Sequence, residues 1–321
     1  MSEFKSHDEL LDDLAKRPRG ALAQLPTPMH RLHNFGEQLH GPQLWIKRDD
    51  LTGLEGGGNK TRKLEFLVGD AIASGADMLA TAGAIQSNHT RKTAAAAAKC
   101  NLKCALLHFA WTQDAGPLYK RAGNILLSSI MDAELFVDEK ERLIEDQSSL
   151  LEFRNYLQGR GNTPYLIPAG AAKYRLGSLG YLACAAEIIG QSRLYGVQFD
   201  YVVHCTGSSS TQAGLLAGFA AMGEKTGVIG ISDDFEIRIK RNRVLQLAND
   251  TLAETGLAAR VSESDVEIIA VDKSPYGVAE SETFDMTKAA GADRRAYCGS
   301  CLRRQGITGI VGVGQFRSIR Q

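Results

Sequence analysis

The 321 residues suffice for two α/β domains of ordinary size, each burying its own core. Lys plus Arg (37) equals Asp plus Glu (37), which leaves no electrostatic footprint for nucleic acid or an anionic membrane and points to a small-molecule partner. No apolar run reaches the roughly 18 residues that span a bilayer, and the polar start MSEFKSHDELLDDLAKRPRG lacks a signal-peptide core, so a cytoplasmic protein is expected.

Short β-branched runs alternate with longer stretches of helical period, the pattern of βαβ units. The segment QLWIKRD at 43–49 reads as a strand. Gly56, Gly57 and Gly58 follow, then Asn59 and Lys60. The glycines permit positive φ and close approach to a planar ligand. Leu64, Leu67, Val68, Ala71 and Ile72 recur at helical steps, which places Lys60 at a helix start. Read alone, the segment also suits a solvated loop lysine or a generic phosphate contact, and its glycine spacing is not a Walker A motif.

Strands are predicted near 78–82, 103–107, 133–137 and 164–168, with helices between them, enough for one parallel sheet. The turn GAIQSNHTR at 83–91 leads into an alanine-rich helix. Ser87 or Asn88 can cap that helix. Gln86, Ser87, Asn88 and His89 offer more polar groups than a cap needs, and first-turn amides attract a carboxylate. Ala94 to Ala98 read as a tightly packed helix and not as low complexity.

A second set of strands is predicted near 199–204, 227–231 and 266–270. Because 43–49 is surplus to the first sheet, the N-terminus is expected to join the second. The chain then divides into a large domain of 1–61 plus 177–321 and an inserted small α/β domain of 62–176. In HCTGSSSTQAG at 204–214, a strand passes through Thr206, Gly207, Ser208, Ser209 and Ser210 into a helix opening near Thr211. Small residues there expose successive N–H groups and hydroxyls, a cradle for a phosphate dianion, though a plain Ser/Gly turn is the simpler alternative. The spacing is not a dinucleotide fingerprint.

The basic run EIRIKRNR at 236–243 fits the polar face of a helix and is assigned no chemistry. Tyr276, in a Pro/Gly turn, could stack on a ring or move a proton. The six cysteines, at 100, 104, 184, 205, 298 and 301, suit free thiols without disulfides. Cys298 and Cys301 have zinc-like spacing but no second ligand pair, so no metal is expected.

Together WIKRDDLTGLEGGGNKTRKLEFL, TAGAIQSNHTRKTAAAAA and HCTGSSSTQAG resemble the 1-aminocyclopropane-1-carboxylate (ACC) deaminase and D-cysteine desulfhydrase family of pyridoxal 5'-phosphate (PLP) enzymes. The resemblance implies the tryptophan synthase β-like fold (fold type II), two open parallel-sheet α/β domains with helices on both faces, and a homodimer. It implies that Lys60 holds PLP as a Schiff base, with Asn59 beside it, that Asn88 meets the cofactor's phenolic oxygen, and that Thr206, Gly207, Ser208, Ser209, Ser210 and Thr211 hold its phosphate. Gln86, Ser87, Asn88 and His89 would meet a small amino-acid substrate, with Ser87 and His89 at its carboxylate. Lys60, Ser87, Tyr276 and Tyr297 would be the catalytic side chains.

Family members that eliminate sulfur resemble QSNH at 86–89, and ACC deaminases resemble QSNQ. His89 therefore places D-cysteine desulfhydration, giving pyruvate, ammonia and sulfide, ahead of ACC deamination to 2-oxobutanoate and ammonia. L-Cysteate sulfo-lyase activity, or a PLP-binding protein that has lost turnover, stay open. So does a simple α/β binding protein that uses the 206–211 loop for another phosphate. After about residue 285 the chain departs from the family pattern: Tyr297 stands for the second family tyrosine, Cys298 would face the pyridine nitrogen, and the final strand of the large sheet is expected to be missing.

Overall fold

The computed structural model describes residues 4–38, 43–110, 116–138, 147–171, 175–232, 236–270 and 310–315. In chain order the elements are α1 (His7–Ala15), β1 (Met29–Arg31), α2 (His33–Gln38), β2 (Gln43–Lys47), α3 (Asn59–Ala73), β3 (Met78–Ala84), α4 (Asn88–Lys99), β4 (Lys103–Phe109), α5 (Asn124–Ile130) and β5 (Glu134–Asp138). There follow α6 (Gln147–Gly159), β6 (Pro164–Ile167), α7 (Arg175–Tyr195), β7 (Tyr201–Cys205), α8 (Ser210–Met222), β8 (Gly227–Ser232), α9 (Ile237–Ala253), β9 (Glu267–Ala270) and β10 (Ile310–Gln315).

Two sheets organise these elements. The smaller has the order β5-β4-β3-β6 and is parallel throughout. The larger has the order β1-β2-β10-β7-β8-β9. Only β7, β8 and β9 are mutually parallel neighbours, while β10 runs antiparallel to both β2 and β7, and β1 antiparallel to β2. The expectation of a wholly parallel large sheet is thus corrected to a mixed one.

The strand expected to be missing is present: Ile310–Gln315 fills the gap between β2 and β7. Its sequence IVGVGQ carries two glycines, which weaken strand propensity and read as turn. Pairing on both sides supplies the backbone hydrogen bonds that the local sequence does not advertise.

α7 is apolar nearly all round, with Leu179, Tyr181, Leu182, Cys184 and Ile188 fully buried, as a central helix requires. It packs with α8, α9 and the strands of the larger sheet in one core. A second core joins α3 and α4 to β3 and β4 through Leu64, Leu67, Ala94, Ala97 and Leu106. α3 serves both, since its Phe66 belongs to the first core. Ile72, predicted on the apolar stripe, is instead 50% exposed at the end of α3.

The helices approach closely where side chains vanish. A Cβ on Gly180 would lie 2.4 Å from the Arg62 carbonyl oxygen, and one on Gly214 would lie 2.2 Å from that of Ser178. These contacts bring α3 and α8 down onto α7. α4 and α8 begin a few residues beyond the C-terminal ends of β3 and β7, and α3 follows β2 after the 48–58 connection, the edge at which open α/β sheets take ligands. No helix among the described residues is long and apolar enough to cross a membrane.

Candidate active site

Lys60 stands in the first turn of α3, where Gly58 is the N-cap with φ 121°. Gly57 has φ 65°, and a Cβ there would lie 1.7 Å from the Asp50 carbonyl oxygen, so this turn can only be glycine. The Gly58 amide donates to the Asp49 carbonyl and to Thr52 Oγ1, both at 2.8 Å. Lys60 is buried, its Nζ 3.4 Å from Asn59 Oδ1. Asn59 Nδ2 reaches Thr211 Oγ1 at 3.5 Å, which joins the first turn of α3 to that of α8.

One turn along, Lys63 Nζ donates to Ser210 Oγ at 2.8 Å and Ser208 Oγ at 3.3 Å. Burial, and then the neighbouring Lys60 charge, hold Lys63 well below the usual lysine range. The loop it faces has its own unmet demands. Ser209 caps α8 at φ 67° without a side-chain hydrogen bond. The buried hydroxyls of Thr206 and Ser209 have no partner among the described residues. A bare helix N-terminus, two orphaned hydroxyls and a buried lysine amine make a site that a phosphate dianion would complete.

The loop is braced from below by Lys240 of α9, whose Nζ donates to the Thr206 carbonyl at 3.0 Å and to Ser232 Oγ at 2.8 Å. This corrects the reading of 236–243 as a purely polar face, because Lys240 is 3% exposed.

At the third element, Ser87 is the N-cap of α4, its Oγ accepting from the His89 amide (3.2 Å) and the Thr90 amide (3.5 Å). It keeps its own hydroxyl hydrogen to give elsewhere, so capping and ligand binding are compatible. Asn88 is buried at the start of the helix. Gln86 is used differently from the sequence expectation. Its Nε2 donates to the Tyr119 and Ala122 carbonyls and its Oε1 accepts from the Asn124 amide, so the side chain fastens the 119–124 segment.

His89 is 3% exposed, with Nε2 2.9 Å from Thr81 Oγ1. Thr81 gives its hydrogen to the Ile167 carbonyl at 2.6 Å, so toward His89 it acts as acceptor and Nε2 carries the proton. Burial, then Lys60 and Lys63, push the imidazole's basicity well down. The ring is therefore neutral, and Nδ1 is a bare lone pair with no partner among the described residues. In that state it accepts hydrogen bonds.

Beneath α3 lies a buried ionic network. Arg62 pairs with Asp49 (2.9 Å) and Glu187 (2.8 Å), and Lys47 with Glu187 (2.8 Å). Tyr181 and Thr27 donate to Asp49 at 2.8 and 2.9 Å. Two cations balance two carboxylates, and the hydrogen bonds offset the desolvation. The network fastens α3, and with it Lys60, to α7 and the end of β2.

Tyr276, Tyr297, Cys298 and Cys301 lie outside the described residues. Lys63, Lys240 and Arg62 were not singled out from sequence. Only Lys63 had a signal, three positions after Lys60 on the same helix face. Among the described residues no group of His, Cys, Asp and Glu would hold a metal, and Cys100, Cys104, Cys184 and Cys205 form no disulfide.

The sequence pattern of the family described as pyridoxal-phosphate dependent enzyme matches residues 21–301. The chain is 42% identical over 287 residues to 1-aminocyclopropane-1-carboxylate deaminase of Methylobacterium sp. (strain 4-46), covering 87% of this chain and 83% of that one. It is 40% identical over 311 residues to the protein of the same name from Bradyrhizobium diazoefficiens, covering 94% and 90%. Among solved structures, an ACC deaminase homologue superposes with a TM-score of 0.81 at 32% identity, covering 91% and 87%. The threonine deaminase of T.th. shares the fold at a TM-score of 0.63 and 17% identity, covering 94% and 92%.

Proposed function

On the premise that this chain belongs to the pyridoxal-phosphate-dependent enzymes, in the ACC deaminase family, we propose that it opens the ring of ACC and releases 2-oxobutanoate and ammonia, with one water consumed. Its cofactor is PLP. The observation that carries the substrate assignment is the identity to relatives of that name along most of the chain. Sequence alone placed D-cysteine first; the names of the relatives support ACC in its place.

The residues divide the work. Lys60 Nζ would hold the cofactor covalently. Lys63, the first-turn amides of α8 and the orphaned hydroxyls of Thr206 and Ser209 would hold its phosphate. Lys240 keeps that loop from retreating. When bound, PLP supplies an electron sink for the bonds of the substrate α-carbon. With the cofactor in place, the Lys60 amine would be positioned to carry protons within the site. The Ser87 hydroxyl and the first-turn amides of α4 are donors suited to the substrate carboxylate, and the neutral His89 ring offers an acceptor at Nδ1.

One observation favours a second reading. The Nδ1 lone pair suits a substrate that presents a polar hydrogen, and a thiol supplies one while the ring methylenes of ACC do not. That supports elimination from D-cysteine.

The test is a side-by-side assay of ACC, D-cysteine and L-cysteate on purified protein, with its visible absorbance recorded. 2-Oxobutanoate from ACC sustains the proposal, whereas pyruvate from D-cysteine alone replaces it with the second reading and pyruvate from L-cysteate alone overturns both. A borohydride-reducible chromophore without turnover would leave a binding protein. Persistence of that chromophore in Lys60→Ala would remove the assignment of Lys60.

A further inference from the structure

α4 brings another buried lysine close to the entry of Lys60. The Lys92 side chain is fully buried, its Nζ donating to the carbonyls of both Leu54 and Glu55. The nearest carboxylate oxygen, on Glu55, lies 3.8 Å from it. Arg91 approaches the same carboxylate at 2.7 Å, off the N–H axis, so that contact is coulombic and not a hydrogen bond.

The segment that Lys92 grips is unusual. Glu55, Gly56, Gly57 and Gly58 all have positive φ, at 39°, 72°, 65° and 121°. An L-residue such as Glu55 stays in that region only when its surroundings hold it there. The Leu54 carbonyl already accepts from the Gly57 amide at 3.1 Å, so Lys92 adds a second donor to the turn that feeds α3. Three residues before Lys92 on the same helix face is His89, and the helix begins at the Ser87 cap.

We propose that Lys92 is a positioning residue. Seated on the Leu54 and Glu55 carbonyls, it holds the loop entering Lys60 at a set separation from the helix that presents Ser87, Asn88 and His89. The two halves of the site, which come from different sheets' connections, are thereby held in register.

Burial, and next the Arg91 charge, bring the Lys92 ammonium down to about 7, with Glu55 opposing. The grip is charge-assisted below that pH. Above it a neutral amine donates more weakly, and the loop loosens.

The catalytic arm of the test rests on the reading of Lys60 as the cofactor lysine, and the conformational arm does not. Amide hydrogen exchange at 55–60 is measured between pH 6 and 8, corrected for intrinsic rates, in wild type, Lys92→Met and Lys92→Gln. We expect wild-type protection to fall across that range, Lys92→Met to exchange about tenfold faster at pH 6, and Lys92→Gln, which keeps an uncharged donor, to be intermediate and independent of pH. In holoenzyme, Lys92→Met is expected to shift the absorbance of the Lys60-bound cofactor and to lower kcat about tenfold with KM within about twofold, and Lys92→Gln to recover part of both. Unchanged protection at 57 and 58 in Lys92→Met, with kcat falling only as the folded fraction falls, overturns the proposal. Should Lys92→Met not fold, Lys92→Gln decides: exchange that tracks the wild-type pH dependence overturns it equally. A wild type without bound cofactor would sink the reading of Lys60 and leave the exchange result standing.

Discussion

Thr81 Oγ1 lies 2.9 Å from His89 Nε2 while giving its own hydrogen to the Ile167 carbonyl, so a strand residue of the smaller sheet sets the tautomer of a histidine in the site. In 15N NMR, His89 is expected to show a protonated Nε2 and a bare Nδ1 in the unliganded protein. Thr81→Val removes the acceptor and should leave a mixture of tautomers. Because the folded-state basicity of His89 lies well below its usual 6.5, the unfolded chain takes up this proton first as pH falls. Its contribution therefore lowers stability as pH drops below about 6.5 and has no effect above it.

Lys63 should make phosphate binding depend on pH. Burial and the Lys60 charge suppress its ammonium, and a bound dianion would restore it, so binding takes up a proton. Affinity for pyridoxine 5'-phosphate, which has no aldehyde to react with Lys60, is expected to fall between pH 7 and 9 as the proton becomes scarcer. In Lys63→Met this slope should flatten and affinity drop by about 10- to 100-fold, the size of a lost charged hydrogen bond. Isothermal titration in two buffers of different ionisation enthalpy reads both the affinity and the proton count.

Glu187→Gln leaves Arg62 with Asp49 as its carboxylate partner and Lys47 with the Thr27 carbonyl and Gln191 Oε1. Breaking a buried pair in this way costs about 3–5 kcal/mol, which a urea midpoint would report at neutral pH. The carboxyl of Glu187 is lowered from 4.5 to about 2: burial alone would raise it, and Arg62 and then Lys47 outweigh that. Its stabilisation is complete above about pH 4.5 and is lost as pH falls toward 2, so the acid limb of stability should be shallower in the variant.

Gln86→Ala should free the 119–124 segment while sparing the cofactor. Faster amide exchange at 122 and 124 with unchanged PLP loading is the expected result. Gly123→Ala tests the same junction, since Gly123 has φ 67° and a Cβ would stand 2.6 Å from Gln86 Oε1. Both variants should lower kcat/KM. Loss of bound cofactor would show that Gln86 does more than fasten this segment.

Much of the architecture was legible in the chain. The runs predicted near 78–82, 103–107, 164–168 and 227–231 are strands within a residue or two, because short apolar runs and the turn residues that bound them act locally. Ser87 as a cap and the opening of α8 just after the serine run were legible for the same reason. β10 was not, since a glycine-rich strand is stabilised by neighbours that lie far away in sequence. Lys240 looked like part of a solvated face, and only the crossing of α9 over the 206–211 loop gives its ammonium two oxygens to bond.

By itself the sequence determined that Lys60 follows three glycines at a helix start, that a polar turn caps the helix after β3, and that a serine-rich loop opens the helix after β7. Those are properties of a few consecutive residues. Tertiary structure decided what each polar group meets: Lys63 finds Ser208 and Ser210 at sequence separations of 145 and 147, Gln86 turns to 119–124, and His89 keeps one nitrogen bare. A buried donor or acceptor must be satisfied by whatever the packed helices and strands bring to it, and that depends on crossings that no local periodicity records.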